Sequence, residues 1–139
     1  MRNKLACSLL FIFPFLTIKT CKDPNIKPCY DPAQIAQRWK NDYILVQAHD
    51  LKNRVTESYK LYPSGIFQLK KDGTYSVSSD EVPLDGEWSM NVDCSITLDK
   101  NNSNRRTFTV AKLTADSLII SRRDTATSTT YVQYYSKGN

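Results

Sequence analysis

The residues able to do chemistry in this chain of 139 are few and scattered. His49 is the only histidine. A general base needs a nucleophile or an orienting carboxylate within reach, and the polar segment around His49 supplies no such pattern, so a solvated imidazole is the simpler reading. With no second histidine and no C-x-x-C pair there is no zinc-binding spacing. The carboxylates Asp80, Glu81, Asp85 and Glu87 fall close together around one loop. Paired carboxylates can exchange protons or hold a cation, but such a cluster is also what a solvated loop looks like. Neither a glycine-rich phosphate loop nor a G-x-S-x-G elbow is present. The expectation is a protein that is not an enzyme, with no catalytic residue, no metal and no cofactor.

Two other groups carry chemical potential. Arg105-Arg106 and Arg122-Arg123 lie on what read as the two strands of one hairpin, at the end away from its turn. Four guanidinium groups on one rim would attract an anionic ligand or head group, while Asp124 offers a local counter-charge. The four cysteines have separate roles. Cys7 belongs to the leader. Cys21 closes the leader and is the candidate for lipidation. Cys29 and Cys94 remain as either a disulfide, in a chain that has left the reducing cytosol, or two thiols with Cys94 as a small buried apolar residue.

The leader sets the compartment. Arg2 and Lys4 form a positive start and Leu5 to Ile18 an apolar run interrupted by Pro14. The run is shorter than the ~20 residues of a permanent span and suits a secretory signal. It ends Leu16-Thr17-Ile18-Lys19-Thr20-Cys21, which resembles a bacterial lipobox, and Lys22-Asp23 resembles a charged export tag. The chain therefore divides into a lipoprotein signal peptide at 1–20, a tether at 21–37 with Pro24, Pro28 and Pro32, and one domain at 38–137. Location in the bacterial cell envelope follows, on the outer membrane through a lipid anchor, facing periplasm or surface. Of the 19 Lys and Arg, Arg2, Lys4 and Lys19 leave with the leader, so 16 face the 14 Asp and Glu. That balance is weak evidence for a nucleic-acid partner, which usually shows a concentrated basic patch, and none is expected.

The elements that must position these residues are strands. Phe67 and Leu69, then Tyr75 and Val77, alternate with polar residues. A two-residue loop at Asp72-Gly73 would send the two apolar pairs to opposite faces. A three-residue loop, Lys71-Asp72-Gly73, pairs Leu69 with Tyr75 and Phe67 with Val77 on one face. After Gly86, Trp88 and Met90, Ile96 and Leu98, Phe108 and Val110, Leu118 and Ile120 alternate in the same way, all at even-numbered positions, and odd-length loops would keep them on one face. A turn at Asn91-Val92-Asp93 would set Trp88 opposite Ile96 and Met90 opposite Cys94. In the last strand Val132 and Tyr134 share the parity; alternation points Tyr134 inward with Tyr131 and Tyr135 outward, or the reverse. Asp31-Pro32 reads as a helix start, with Ile35 and Trp39 on one face of a short turn. Asp42 to Ala48 reads as the first strand. From His49 to Ser64 the charged, irregular pattern reads as a long connection with a helical turn near Val55–Tyr59. About eight short strands with hairpin-length links indicate an all-β domain, an antiparallel up-and-down barrel closed on itself.

Phe67-x-x-x-x-Asp72-Gly73-Thr74-Tyr75, then Gly86-x-Trp88, then Leu113-Thr114-x-Asp116-x-Leu118 resemble, in order and spacing, the bacterial lipocalin-like lipoproteins from about Trp39 to Tyr135. The glycine usual two residues before the entry tryptophan is replaced here by Gln37. The resemblance implies an eight-stranded barrel with one open end. Two functions are expected of such a barrel. One is a binding module for a small apolar or amphiphilic ligand, with Phe67, Tyr75, Trp88 and Phe108 as contacts. The other is an accessory protein whose barrel is filled with side chains and whose surface meets a protein partner.

Overall fold

Alternation turns most of the chain into strands. The computed structural model describes residues 29–79 and 84–139; the signal segment, Cys21, the first part of the tether and the pair Asp80-Glu81 lie outside the described residues. A single helical turn, α1 (Pro32–Ile35), precedes nine strands: β1 (Arg38–His49), β2 (Val55–Leu61), β3 (Gly65–Leu69), β4 (Thr74–Ser79), β5 (Leu84–Met90), β6 (Ser95–Leu98), β7 (Arg106–Leu113), β8 (Ser117–Asp124) and β9 (Thr129–Lys137). From β3 to β9 each strand pairs antiparallel with the next, and β1 pairs with both β3 and β9. Eight strands thus close into an up-and-down barrel, and β2 stands outside it as an extra strand on the far half of β1.

The β3–β4 hairpin has the register expected from parity. Leu69 pairs with Tyr75 and Phe67 with Val77, and Gly73 takes a φ of 84°, which glycine adopts without steric cost. The Asp72 carboxylate accepts from the Thr74 amide at 2.9 Å and from its hydroxyl at 2.7 Å. The same device recurs one hairpin later, where the Asp93 carboxylate accepts from the Ser95 amide and hydroxyl. Here Cys94 occupies the left-handed position, at φ 65°. The loop is therefore Val92-Asp93-Cys94, not Asn91-Val92-Asp93. Trp88 consequently faces Leu98 and Met90 faces Ile96, two residues from the expected pairing but with the inward parity kept.

Two expectations fail for identifiable reasons, and one that alternation left open is decided. Val55–Leu61 is a strand rather than a helical turn: its seven residues are all exposed, so neither face alternates, and only pairing with β1 defines it. Its turn is built by Asp50, whose carboxylate takes the amides of Lys52 and Arg54 and the Arg54 side chain. In β9 the inward residue is Tyr135, not Tyr134. The β8–β9 link places Leu118 opposite Tyr135 and so reverses parity, with Ser128 at φ 50°. Ile35, assigned to the tether, is fully buried, with Tyr30 and Ala36 packed on the core.

The core fills one end of the barrel. All of the expected inward residues are buried except Val77 and Met90, which are partly so. Asp31 caps α1 through the Ala33 amide, and the helical turn ends before Trp39, which belongs to β1. Trp39 is nonetheless joined to α1, since its indole N–H donates to the Ile35 carbonyl at 2.9 Å. Trp39 and Ile35 are inaccessible to solvent. They lie at the end that holds the β3–β4, β5–β6 and β7–β8 turns: the Leu69 amide donates to the Gln37 carbonyl, and the Trp88 indole N–H donates to the Lys70 carbonyl.

Cys29 and Cys94 form a disulfide, with Cα atoms 5.1 Å apart, inside the bridging range of roughly 4.4–6.8 Å. It fastens the segment before α1 to the β5–β6 turn and closes a loop with a sequence separation of 65. Replacing both cysteines with serine is predicted to cost about 2–4 kcal/mol. Urea denaturation should show a lower midpoint for the double variant than for the oxidised parent, and reduction of the parent should reproduce that shift.

Candidate functional site

At the end opposite α1 the side chains no longer fill the barrel. A cavity of about 210 Å³ opens there. Its wall is mostly apolar: Phe67 and Val77 from the first barrel hairpin, Leu98 and Phe108 across it, Ile120 on β8 and Ile44 on β1. The parity argument explains five of these six. Ile44 reaches the interior because a bulge between Asn41 and Tyr43 shifts the β1–β9 register. Odd-numbered Trp39 and even-numbered Ile44 then face the same interior.

Polar side chains, among them Asn41, Arg106, Gln133 and Tyr135, interrupt the apolar wall. The Tyr135 hydroxyl donates to Gln133 Oε1, and burial pushes its phenol far above the ordinary range, offset in part by hydrogen bonding from Asn41. Asn41 Oδ1 and Arg106 Nε are buried and make no hydrogen bond. Buried polar atoms are nearly always paired, because leaving one unpaired costs on the order of 1–3 kcal/mol. Two such atoms, an acceptor and a charged donor, belong to side chains lining this one cavity.

Arg106 and Leu84 also line a second, polar recess on the rim, formed by Tyr75, Asp85, Asp99 and the β6–β7 loop from Asn102 to Arg105. The Tyr75 hydroxyl donates to Asp99 Oδ2 at 2.7 Å. Arg106 Nη2 stands 3.9 Å from the same oxygen, an ion-pair distance rather than a hydrogen bond. Burial raises the Tyr75 phenol, as do the Asp99 hydrogen bond and charge, while Arg106 opposes the shift. Gly86, paired with Tyr75, makes the arrangement possible. A Cβ there would run into the Asp99 carboxylate and lie 2.7 Å from the Tyr75 ring.

The ligand contacts expected from the sequence divide between the two ends. Phe67 and Phe108 line the cavity. Tyr75 lines the rim recess instead. Trp88 is a packing residue, held by Lys70. The four arginines do not gather into one anion site. Arg106 faces the cavity and Arg105 the recess. Arg122 lies over the Tyr131 ring, 5.7 Å from its centroid, and Arg123 donates to Asn53 Oδ1 at 2.6 Å. His49 is not solvated as expected: both ring nitrogens are buried without a partner. Among the described residues no group of three or more His, Cys, Asp or Glu could hold a metal. Sequence reading missed Asn41 and Gln133, since a polar residue in a strand normally marks the solvent face.

No protein-family model matches the chain, and no curated protein matches it.

The two buried phenols give a pH dependence with a definite sign. Their folded-state pKa values lie above the unfolded value of about 10, so the folded state holds these protons more tightly. The stability they contribute is complete below about pH 10 and is lost as pH rises through the folded values. The urea midpoint is predicted to fall on raising the pH above 10, and Tyr135→Phe should shrink that fall. A fall of equal size in Tyr135→Phe would remove Tyr135 as its source.

Proposed function

We propose that the protein is a non-enzymatic cell-envelope barrel that takes a small apolar or amphiphilic ligand through its open end. The observation that carries this reading is the cavity, apolar over most of its wall yet lined by two side chains with unpaired buried polar atoms. Apolar pockets with a few convergent polar groups are the usual form of small-molecule sites. A barrel kept only for stability gains from filling that volume and pairing those atoms. The lipocalin-like resemblance of the Asp72-Gly73-Thr74-Tyr75 and Gly86-x-Trp88 segments supports the same reading, as does the closed eight-stranded barrel. Lipidation at Cys21 would hold the domain at a bacterial outer membrane, where apolar ligands partition.

A second reading, contact with a protein partner, is favoured by β2. It lies outside the barrel with one edge unpaired, and Val55, Tyr59 and Leu61 on it are each close to half exposed. Such an edge can accept a further strand.

Two experiments test the first reading. The neutral dye N-phenyl-1-naphthylamine is predicted to bind with enhanced, blue-shifted emission. Val77→Trp, which places a large ring at the half-buried wall, should weaken that binding at least tenfold with the circular dichroism spectrum retained. Dye binding unchanged by Val77→Trp would move the site elsewhere. For the anchor, Cys21→Ser is predicted to shift the protein from the membrane to the soluble fraction and to remove the mass of the acyl chains.

A further inference from the structure

The free edge of β2 lacks the devices that keep sheet edges from pairing. Such edges are normally short, bent by a bulge, or guarded by proline or an outstanding lysine. β2 runs for seven residues, holds no proline, and is exposed throughout. Among the described residues β1 is its only partner strand. The one register shift against β1 lies at Val55, leaving the pairing from Glu57 to Leu61 unbroken. Its one lysine does not guard the edge. Lys60 Nζ is drawn over the Tyr43 ring, 4.3 Å from the centroid, and that ring is itself stacked on Tyr134. Val55, Tyr59 and Leu61 share one face by alternation and are 48%, 49% and 46% exposed. Tyr59 pairs with Val46, which is buried, so these three extend the inward face past the barrel wall.

We propose that β2 is a dimer interface, pairing antiparallel with β2 of a second copy of this chain across a two-fold axis at Ser58. This rests on the reading of the β2 edge as a protein contact. Symmetry restricts the register. Facing pairs in an antiparallel ladder alternate between hydrogen-bonded and non-hydrogen-bonded kinds, and a two-fold axis maps each pair onto one of the same kind. The axis therefore passes through a residue that faces itself. Glu57 or Lys60 on the axis would set like charges opposite each other, which destabilises a ladder. Tyr59 on the axis would set Val55 opposite Pro63, which has no N–H to donate. Val55, Thr56 or Leu61 on the axis would pair three residues of β2 or fewer. Ser58 on the axis pairs all seven. Val55 then faces Leu61 of the other copy, Thr56 faces Lys60 and Glu57 faces Tyr59. Apolar residues meet at both ends, no acid faces an acid, and a small side chain sits at the centre. A strand from another protein imposes no such self-match, yet β2 has it. The contact is isologous and closes at two copies, so it covers the edge without propagating into a fibre.

The test is site-specific crosslinking of the full chain in intact bacterial cells. Facing residues of an antiparallel pair have Cα atoms roughly 4.5–5.5 Å apart, inside the disulfide range of roughly 4.4–6.8 Å. Ser58→Cys alone is expected to give an oxidised dimer on a non-reducing gel. Thr56→Cys and Lys60→Cys, each alone, should dimerise at least tenfold less, and should form the dimer when the two are co-expressed. Thr109→Cys, at an exposed position on β7, should form none. The parent purified in dodecyl maltoside is expected to sediment as a dimer, and Ser58→Lys, which sets two ammonium groups on the axis, should weaken its association at least tenfold. Thr56→Cys crosslinking alone as well as Ser58→Cys overturns the register and the proposal with it, as does a monomeric parent. Photocrosslinking from p-benzoylphenylalanine in place of Tyr59, in the same cells, separates this from the reading beneath it. An adduct of twice the chain mass supports the second copy. An adduct with a different protein overturns the second copy and keeps the edge as a contact, and no adduct overturns both.

Discussion

The barrel depends on β1 closing the sheet against β9. This is a long ladder, from Trp39 opposite Lys137 to Ala48 opposite Thr129, and without it β3 and β9 would each present a free edge. One strand must serve two ends of the molecule. Near its start β1 sends Trp39 inward against α1, and further on it sends Ile44 and Val46 inward. An unbroken strand cannot do both, because alternate residues face opposite ways. The bulge between Asn41 and Tyr43 resolves the conflict by adding one residue. It also leaves Asn41 on the cavity wall with an unpaired oxygen.

The turns at the α1 end keep the inward face continuous. Two of them use the same chemistry, a carboxylate folding back on the amide and hydroxyl two residues later, with a left-handed residue between. Glycine fills that central position in one and Cys94 in the other. The second choice carries backbone strain that glycine would avoid, but it places a sulfur where Cys29 can reach it. The disulfide, the α1 cap and the Trp39 indole bond converge on this end.

The opposite end obeys different rules. There the wall keeps an unfilled volume, two unpaired buried polar atoms and a guanidinium without a hydrogen-bonded carboxylate. Local conflicts of this kind, in a chain otherwise consistent from turn chemistry to packing, are characteristic of functional sites. The exposed edge of β2 lies beside the same end, joined to the inward face by the pairing of Val46 with Tyr59.

The sequence by itself determined the fold class, the β3–β4 register and nearly the whole inward set from Phe67 to Ile120. These are local matters: residue alternation sets the face of a strand, and an odd-length loop passes that face on to the next. Where a local signal was ambiguous, tertiary pairing decided. β2 shows no alternation because both faces meet solvent, so only its ladder with β1 makes it a strand. Tyr135 rather than Tyr134 turns inward because the β8–β9 link reverses parity, and the two readings were locally equivalent. The turn at Cys94 moved by one residue because Asp93 and Ser95 repeat the chemistry of Asp72 and Thr74, a signal present in the chain but readable only beside its counterpart. The cavity was the least legible part. Its decisive residues, Asn41, Gln133 and Arg106, are polar, and a polar residue is assigned to solvent until closure of the barrel puts it inside.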